Sequence, residues 1–257
     1  SSARFYIAIN EKEDRTVADA KNFAGNEDWM SVFPLYAKYP QDDPVVLTKV
    51  ILGMDVHFGQ DTEPLGVLIL DAQTVSSIYE SCILRKNVNS RFIVLSGTGL
   101  KENEILNVQL GTSIGKILKN KSKEVGRYRV FINGPLRGQE ITDLSQKTDW
   151  SINHIVVLEE KDRKVILPMI KPDELVLTTN VLGELRRCVS CNFCDDICPV
   201  GLEPALYYHS CTRGEKHKAR LYNLGKCIEC GLCSFICPSK LELLEIIKEC
   251  KALDKQK

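Results

Sequence analysis

Two stretches near the carboxyl end decide how this chain is interpreted: Cys188-Val-Ser-Cys191-Asn-Phe-Cys194-Asp-Asp-Ile-Cys198-Pro199 and Cys227-Ile-Glu-Cys230-Gly-Leu-Cys233-Ser-Phe-Ile-Cys237-Pro238. Both have the spacing C-x-x-C-x-x-C-x-x-x-C-P. Three cysteines at steps of three, followed by a fourth before proline, are typical of ligands to [4Fe–4S] clusters. Thiolates suit iron because they are soft donors whose negative charge offsets that of the metal. The repetition therefore predicts two [4Fe–4S] clusters.

Cysteines crowded in this way have other uses besides binding iron. Of the eleven cysteines, only Cys82 precedes residue 188. A secreted disulfide domain is disfavoured, because no export signal is visible and the cysteines crowd into one end of a large chain. Structural zinc draws two ligands from each of two C-x-x-C elements. Zinc or a metal-free array of thiols stays as the alternative.

The two runs are expected to share their clusters. In two-cluster ferredoxins the fourth cysteine of each run binds the other cluster. The predicted ligand sets are Cys188, Cys191, Cys194 and Cys237 for the first cluster, and Cys227, Cys230, Cys233 and Cys198 for the second. Such crossed ligation ties the runs together, so this region should need iron to fold. The cysteines outside the motifs are expected to fill the core: Cys82, Cys211 and Cys250.

The composition of the whole chain is ordinary. It has 257 residues, 34 basic and 34 acidic side chains, and 44% hydrophobic residues. These values exclude a collagenous or disordered chain, and the zero formal charge argues against nucleic-acid binding. No apolar run approaches the ~18–20 residues that span a bilayer, and no signal peptide is visible. The Ser-Ser start indicates a processed end or the interior of a longer gene product.

The expected fold class is α+β multidomain. Residues 1–88 form a truncated Rossmann-like α/β layer, because predicted strands alternate with helices. The strands are expected at 4–9 and 66–70, and the helices at 15–23, 44–52 and 72–86, with Asp43 as the N-cap of the second helix. This part lacks both G-x-G-x-x-G and a Walker A motif, so no phosphate loop supports a nucleotide site.

The remaining chain divides into three parts. Residues 89–148 are expected to form a β-grasp module with strands at 91–97, 105–110 and 128–133 and a helix capped by Thr112. Residues 149–178 form a connecting hairpin with strands at 154–159 and 163–168. Residues 179–257 form a mainly helical cluster domain, with helices expected at 203–211, 215–224 and 241–250.

Some candidate sites receive a structural interpretation. Gly97-Thr-Gly99 could touch a ligand, but a plain turn is favoured. Tyr207 and Tyr208 could line an electron path, but core packing is favoured. The histidines have no metal-ligand spacing and are expected to be structural or exposed: His57, His154, His209 and His217. No catalytic residues are assigned.

The chain resembles the C subunit of the Rnf electron-transport complex, starting partway into that family's flavin and NADH domain. The cysteine runs match most closely, with Pro-Val-Gly-Leu202 after the first. Residues 93–112 are similar to the family's soluble-ligand-binding β-grasp (SLBB) domain. Shorter similarities lie at Arg4–Glu13, Pro34–Gln41 and Asp71–Glu80. The family's glycine-rich flavin loop is absent here, so we expect little FMN or NADH binding by this chain.

The resemblance implies an iron–sulfur electron-transfer subunit of a membrane-associated NADH/ferredoxin oxidoreductase complex. Its partners would be other redox subunits or a ferredoxin-like protein, and it would lie on the cytoplasmic face of the membrane without a span of its own. Whether the chain is an enzyme by itself stays open.

Related alternatives also stay open. They are an iron–sulfur partner of a soluble enzyme of the cobalamin reductase or methylenetetrahydrofolate reductase type, and a relative of the A subunit of sodium-pumping quinone reductases. A non-redox scaffold would require clusters with only a structural role.

Overall fold

A computed structural model describes residues 3–56, 61–123, 127–160, 187–215 and 223–254. The chain divides into two units. The first contains residues 1–69 with 225–228, and the second contains residues 70–224 with 229–257. Among the helices described, none is long and apolar enough to cross a membrane.

The first unit begins with a strand–helix–strand element: β1 (Phe5–Asn10), α1 (Asp14–Ala24) and β2 (Met30–Leu35). The two strands pair in parallel, with Phe5 opposite Met30 and Asn10 opposite Leu35. Parallel neighbours need a crossover, and α1 supplies it. The predicted alternation of strand and helix is confirmed here. Strand β2 was not among the predicted strands. It contains Pro34, a residue that strands accept mainly at a sheet edge.

Helix α2 (Pro44–Leu52) follows the predicted capping rule. The Asp43 carboxylate accepts a hydrogen bond from the Val45 N–H at 2.9 Å, and Pro44 opens the helix. The predicted strand at 66–70 is wrong, because this stretch follows a 3₁₀ turn (Glu63–Leu65) and joins no described strand. Leu68 is 68% exposed. A short apolar run indicates burial, but it does not identify a partner strand.

The second unit contains a five-stranded mixed sheet. Its strands are β3 (Ser90–Ser96), β4 (Glu104–Gln109), β5 (Arg127–Ile132), β6 (Gln139–Ile141) and β7 (His154–Glu160), in the order β4-β3-β7-β5-β6. Strands β3 and β7 are parallel, and the other pairs are antiparallel. Helix α4 (Ile114–Leu118) contributes Ile114 to a core that includes Leu95, Ile155 and Val157.

The position of β7 differs from the predicted connector. It lies between β3 and β5 in the middle of the sheet rather than in a separate hairpin. The predicted hairpin partner, residues 163–168, lies outside the described residues. Alternating apolar residues predict a strand and its buried face, but they do not predict its neighbours.

Thr112 is not the cap of α4, because Ser113 holds that position and the Thr112 hydroxyl donates to the Gln109 carbonyl.

Helix α3 (Ala72–Cys82) is shorter than predicted and is fixed at its start. The Asp71 carboxylate accepts from the Thr74 N–H at 2.6 Å and from the Arg91 guanidinium at 2.6 Å. Arg91, which is buried, also donates to the Asn153 side chain at 2.7 Å. These bonds join the start of the helix to the sheet. Cys82, at the end of the helix, is exposed, so its predicted packing role is wrong.

The turn at Gly97-Thr98-Gly99 packs directly on β7. Gly97 has a φ of 126°, and a Cβ atom there would lie 2.1 Å from the Val157 carbonyl oxygen. The Gly99 N–H donates to the same oxygen at 2.9 Å. Only glycine allows this close approach, which supports the plain-turn interpretation.

Four described helices form the carboxyl-terminal end: α5 (Phe193–Asp196), α6 (Pro204–Thr212), α7 (Leu232–Ile236) and α8 (Leu243–Asp254). Helices α6 and α8 confirm two predicted helices. The third, 215–224, lies mostly outside the described residues, and a 3₁₀ turn follows at Leu224–Lys226. Helix α5 packs on α7, and α6 packs on α8.

Candidate metal centre

The two cysteine runs share an uncommon backbone conformation around their second cysteines. In each, the residue before the second cysteine has a positive φ, 51° at Ser190 and 55° at Glu229. The residue after that cysteine does as well, 59° at Asn192 and 81° at Gly231. Left-handed residues reverse the chain locally, so each run curls before its short helix begins. The sequence repeat is therefore also a repeat of structure.

Each short helix carries the third cysteine and is linked to the longer helix that follows. Asp195 Oδ1 accepts a hydrogen bond from the Ala205 N–H at 3.2 Å, at the start of α6. At the equivalent place in the second repeat, Ser234 Oγ accepts from the Leu244 N–H at 2.8 Å, at the start of α8. The first N–H groups of a helix lack partners within the helix. Both side chains therefore satisfy a group that the helix leaves free.

Four of the predicted ligands surround one cavity. It is lined by Cys188, Cys191, Cys194 and Cys237, and its wall includes Ala205, Leu241 and Leu243. Three of these cysteines come from the first run and one from the second, as crossed ligation requires. The ligand assignment itself stays a prediction.

The chemistry of this cavity fits an iron–sulfur cluster. Soft thiol donors face a wall that is largely apolar, and such donors suit iron–sulfur clusters or zinc. Burial raises the pKa of Cys194 to about 12, with the nearby Asp195 carboxylate as a further cause. The thiolate is the form that binds metal, so metal binding here must displace a proton. Across the described part of the chain, no three His, Cys, Asp or Glu side chains converge on one point as ligands of a single ion would.

All four cysteines of the second predicted set lie within the described residues. Burial raises the pKa of Cys230, the nearby charge of Cys198 adds to this, and the charge of Arg137 lowers it. Cys198 belongs to the first run and Cys230 to the second, as crossed ligation requires. Cys233 is buried at the start of α7. Cys227 is half-buried and belongs to the segment 225–228 of the first unit.

Two cysteines outside the motifs are paired. Cys211 of α6 and Cys250 of α8 form a disulfide and are both buried. The expectation that they only fill the core was therefore incomplete. A signal for this pairing was present in the sequence, because Cys250 lies 39 residues after Cys211 and every cysteine of the second run lies 39 residues after its counterpart. Residues at equivalent positions of a repeat meet readily where the two copies pack together.

A charged pair next to the second run was also missed. The Lys251 ammonium lies 2.5 Å from the Glu229 carboxylate, and the Lys251 side chain is 6% exposed. Counting back 39 residues gives Ser190 and Thr212 at the equivalent positions. Since both partners are common surface residues, their types and spacing carried no signal of burial.

The other candidate residues have structural surroundings. Tyr207 is completely buried, which supports the packing interpretation, and Tyr208 contacts the His209 ring. His154 Nε2 lies 2.7 Å from the Ser96 hydroxyl, and burial lowers the pKa of His154. His57 and His217 lie outside the described residues.

Comparison with known proteins agrees with the cysteine pattern. Residues 184–241 match the family model described as a 4Fe-4S dicluster domain. The chain is 28% identical over 229 residues to the C subunit of the ion-translocating oxidoreductase complex of Pectobacterium carotovorum, covering 86% of this chain and 28% of that protein. The corresponding protein of Yersinia enterocolitica is 29% identical, with 85% and 29% covered.

A shorter relative is matched over a larger share of its own length. The C subunit of the same kind of complex in Buchnera aphidicola is 26% identical, with 79% of this chain and 40% of that protein covered. The chain thus spans between about a quarter and two fifths of the curated relatives it matches. The predicted resemblance is confirmed: this chain contains a [4Fe–4S] dicluster domain and is similar, over most of its length, to the C subunits of ion-translocating oxidoreductase complexes of the Rnf type.

Proposed function

We propose that this chain is the electron-relay part of the C subunit of an Rnf-type complex. The observation that carries the proposal is the duplicated frame in which cysteines from both runs line one cavity. When bound, [4Fe–4S] clusters accept and donate one electron at a time. The proposed ligands are the crossed sets, Cys188, Cys191, Cys194 and Cys237 for one cluster, and Cys227, Cys230, Cys233 and Cys198 for the other.

Electrons are proposed to enter or leave the protein at the first run. Cys191 is exposed, and Val189 and Phe193, two residues before and after it, are 65% and 52% exposed. Electron transfer between proteins requires close approach of the redox groups, and an exposed apolar rim permits this approach. At the equivalent positions of the second run, Cys230 is buried and Leu232 is half-buried.

The partners and location are proposed from the family resemblance of the sequence. The other redox subunits of an ion-translocating complex, or a ferredoxin-like protein, exchange electrons at this rim, on the cytoplasmic face of the membrane. The five-stranded sheet is proposed to be the SLBB β-grasp module, since β7 lies parallel to β3 between the two antiparallel hairpins. Residues 1–88 are proposed to be a Rossmann-like α/β layer, since β1 and β2 pair in parallel across α1.

Anaerobic production of the full chain tests the relay. The protein should be brown, contain about eight iron and eight sulfide per chain, and lose its visible absorbance when dithionite is added. A colourless protein that contains zinc instead of iron would overturn the proposal.

Cofactor binding gives a second test. Titration with FMN and with NADH should produce little binding, because the chain lacks the glycine-rich flavin loop expected from the resemblance. Tight flavin binding would show that the flavin site is complete within this chain.

A further inference from the structure

The two repeats differ in charge at one equivalent position. Asp195 follows the third cysteine of the first run, and Ser234 follows that of the second. Both side chains accept a hydrogen bond from the start of the next helix, at 3.2 Å and 2.8 Å. A neutral hydroxyl is therefore sufficient for this structural task. The negative charge of Asp195 is not needed to cap the helix.

The Asp195 carboxylate also lies beside a proposed ligand. Its Oδ1 atom is 3.5 Å from Cys194 Sγ, and Cys194 is buried in the wall of the cavity. Charges interact more strongly in partly buried surroundings than in bulk water. Net charge near a cluster is one of the factors that set its reduction potential. Adding an electron next to a carboxylate is unfavourable, so this charge lowers the potential.

The second run has different charges at the corresponding places. Ser234 is uncharged and completely buried. The Glu229–Lys251 pair near Cys230 carries no net charge. Arg137, whose charge acts on Cys230, adds a positive contribution. The same frame thus holds its two ligand sets in different electrostatic surroundings.

We propose that the Asp195 carboxylate tunes the reduction potential of the proposed cluster held by Cys188, Cys191, Cys194 and Cys237. Its negative charge lowers this potential relative to that of the other proposed cluster. An electron accepted at the first cluster is therefore held more favourably at the second. The transfer moves one electron, with no bond made or broken. This inference rests on the proposed relay function.

The test compares three variants of the full chain in anaerobic redox titrations followed by electron paramagnetic resonance. Asp195→Asn keeps an acceptor oxygen and removes the charge. It should raise one of the two reduction potentials by about 59 mV, which is a tenfold change in the equilibrium constant for one-electron reduction. The other potential should stay unchanged. Asp195→Ser copies the second repeat and should give the same shift.

The control is Ser234→Ala, which removes the equivalent hydrogen-bond acceptor without changing any charge. It should lower thermal stability while both potentials stay within the error of the unaltered protein. Unchanged potentials in both fully loaded Asp195 variants would overturn the inference, as would an equal shift in the Ser234 variant. Failure of the unaltered protein to incorporate iron is a different result, and it would overturn the relay function itself.

Discussion

The two cysteine repeats share several backbone features but differ in the residues that surround them. Left-handed residues, a short helix and a side-chain cap recur at a constant offset of 39 residues. The first repeat exposes Cys191 and Phe193, whereas the second buries Cys230 and carries a buried lysine. The repeat keeps the features that are proposed to hold a cluster. Its surroundings make the two copies unequal, as the proposed relay with a distinct entry and interior requires.

The largest effect should come from removing one ligand in each repeat. Cys191→Ala and Cys230→Ala should each lose about half of the bound iron, because each proposed cluster holds four iron atoms. Cys230→Ala should lower thermal stability more, since it alters a buried site. Iron analysis and anaerobic thermal melts measure both. Full iron content in either variant would contradict the ligand assignment.

Matched leucines test whether the two frames contribute equally to stability. Leu202 and Leu241 occupy equivalent positions after each run, and both are buried. Truncation of a buried leucine to alanine typically costs about 2–5 kcal/mol. Leu202→Ala and Leu241→Ala should therefore destabilise the loaded protein similarly in anaerobic denaturant unfolding. A cost confined to one variant would show that only one repeat supports the fold.

The buried ion pair should respond unequally to the loss of its two members. Glu229→Ser copies the first repeat and removes the carboxylate partner of a buried ammonium, which should cost about 1–3 kcal/mol. Lys251→Thr leaves a carboxylate whose side chain is 40% exposed, so water can solvate it and the cost should be smaller.

The double variant Glu229→Ser/Lys251→Thr gives the second repeat the residues of the first. It should regain part of the stability lost in Glu229→Ser, as measured by the same unfolding experiment. Simple addition of the two single effects would mean that the pair is not coupled.

The smallest effect on stability is expected at the exposed rim. Phe193→Leu copies the second repeat, and because Phe193 is 52% exposed, the free energy of unfolding should change by less than about 0.5 kcal/mol. Reoxidation of the reduced protein by an added ferredoxin should slow, as followed by stopped flow. The matched Leu232→Phe variant should leave that rate unchanged. Equal rates in the Phe193 variant and the unaltered protein would argue against exchange at this rim.

Local rules predicted the elements that depend on neighbouring residues. Asp43 caps α2 as expected, because its carboxylate satisfies a nearby N–H whatever the rest of the fold does. The apolar spacing of 241–250 predicted α8 in the same way. The stretch 66–70 failed because a strand exists only with a partner, and the central place of β7 depends on β3 and β5.

By itself the sequence determined the cysteine spacing, and with it the soft-donor chemistry, the repeat and the expectation that the runs exchange their fourth ligands. Spacing can do this because ligands three residues apart on a curled loop reach one cluster. Only the tertiary structure decided which run exposes its second cysteine, and that Asp195 reaches both Cys194 and α6. Those features depend on how helices pack across the repeat, and no rule that acts between neighbouring residues contains that information.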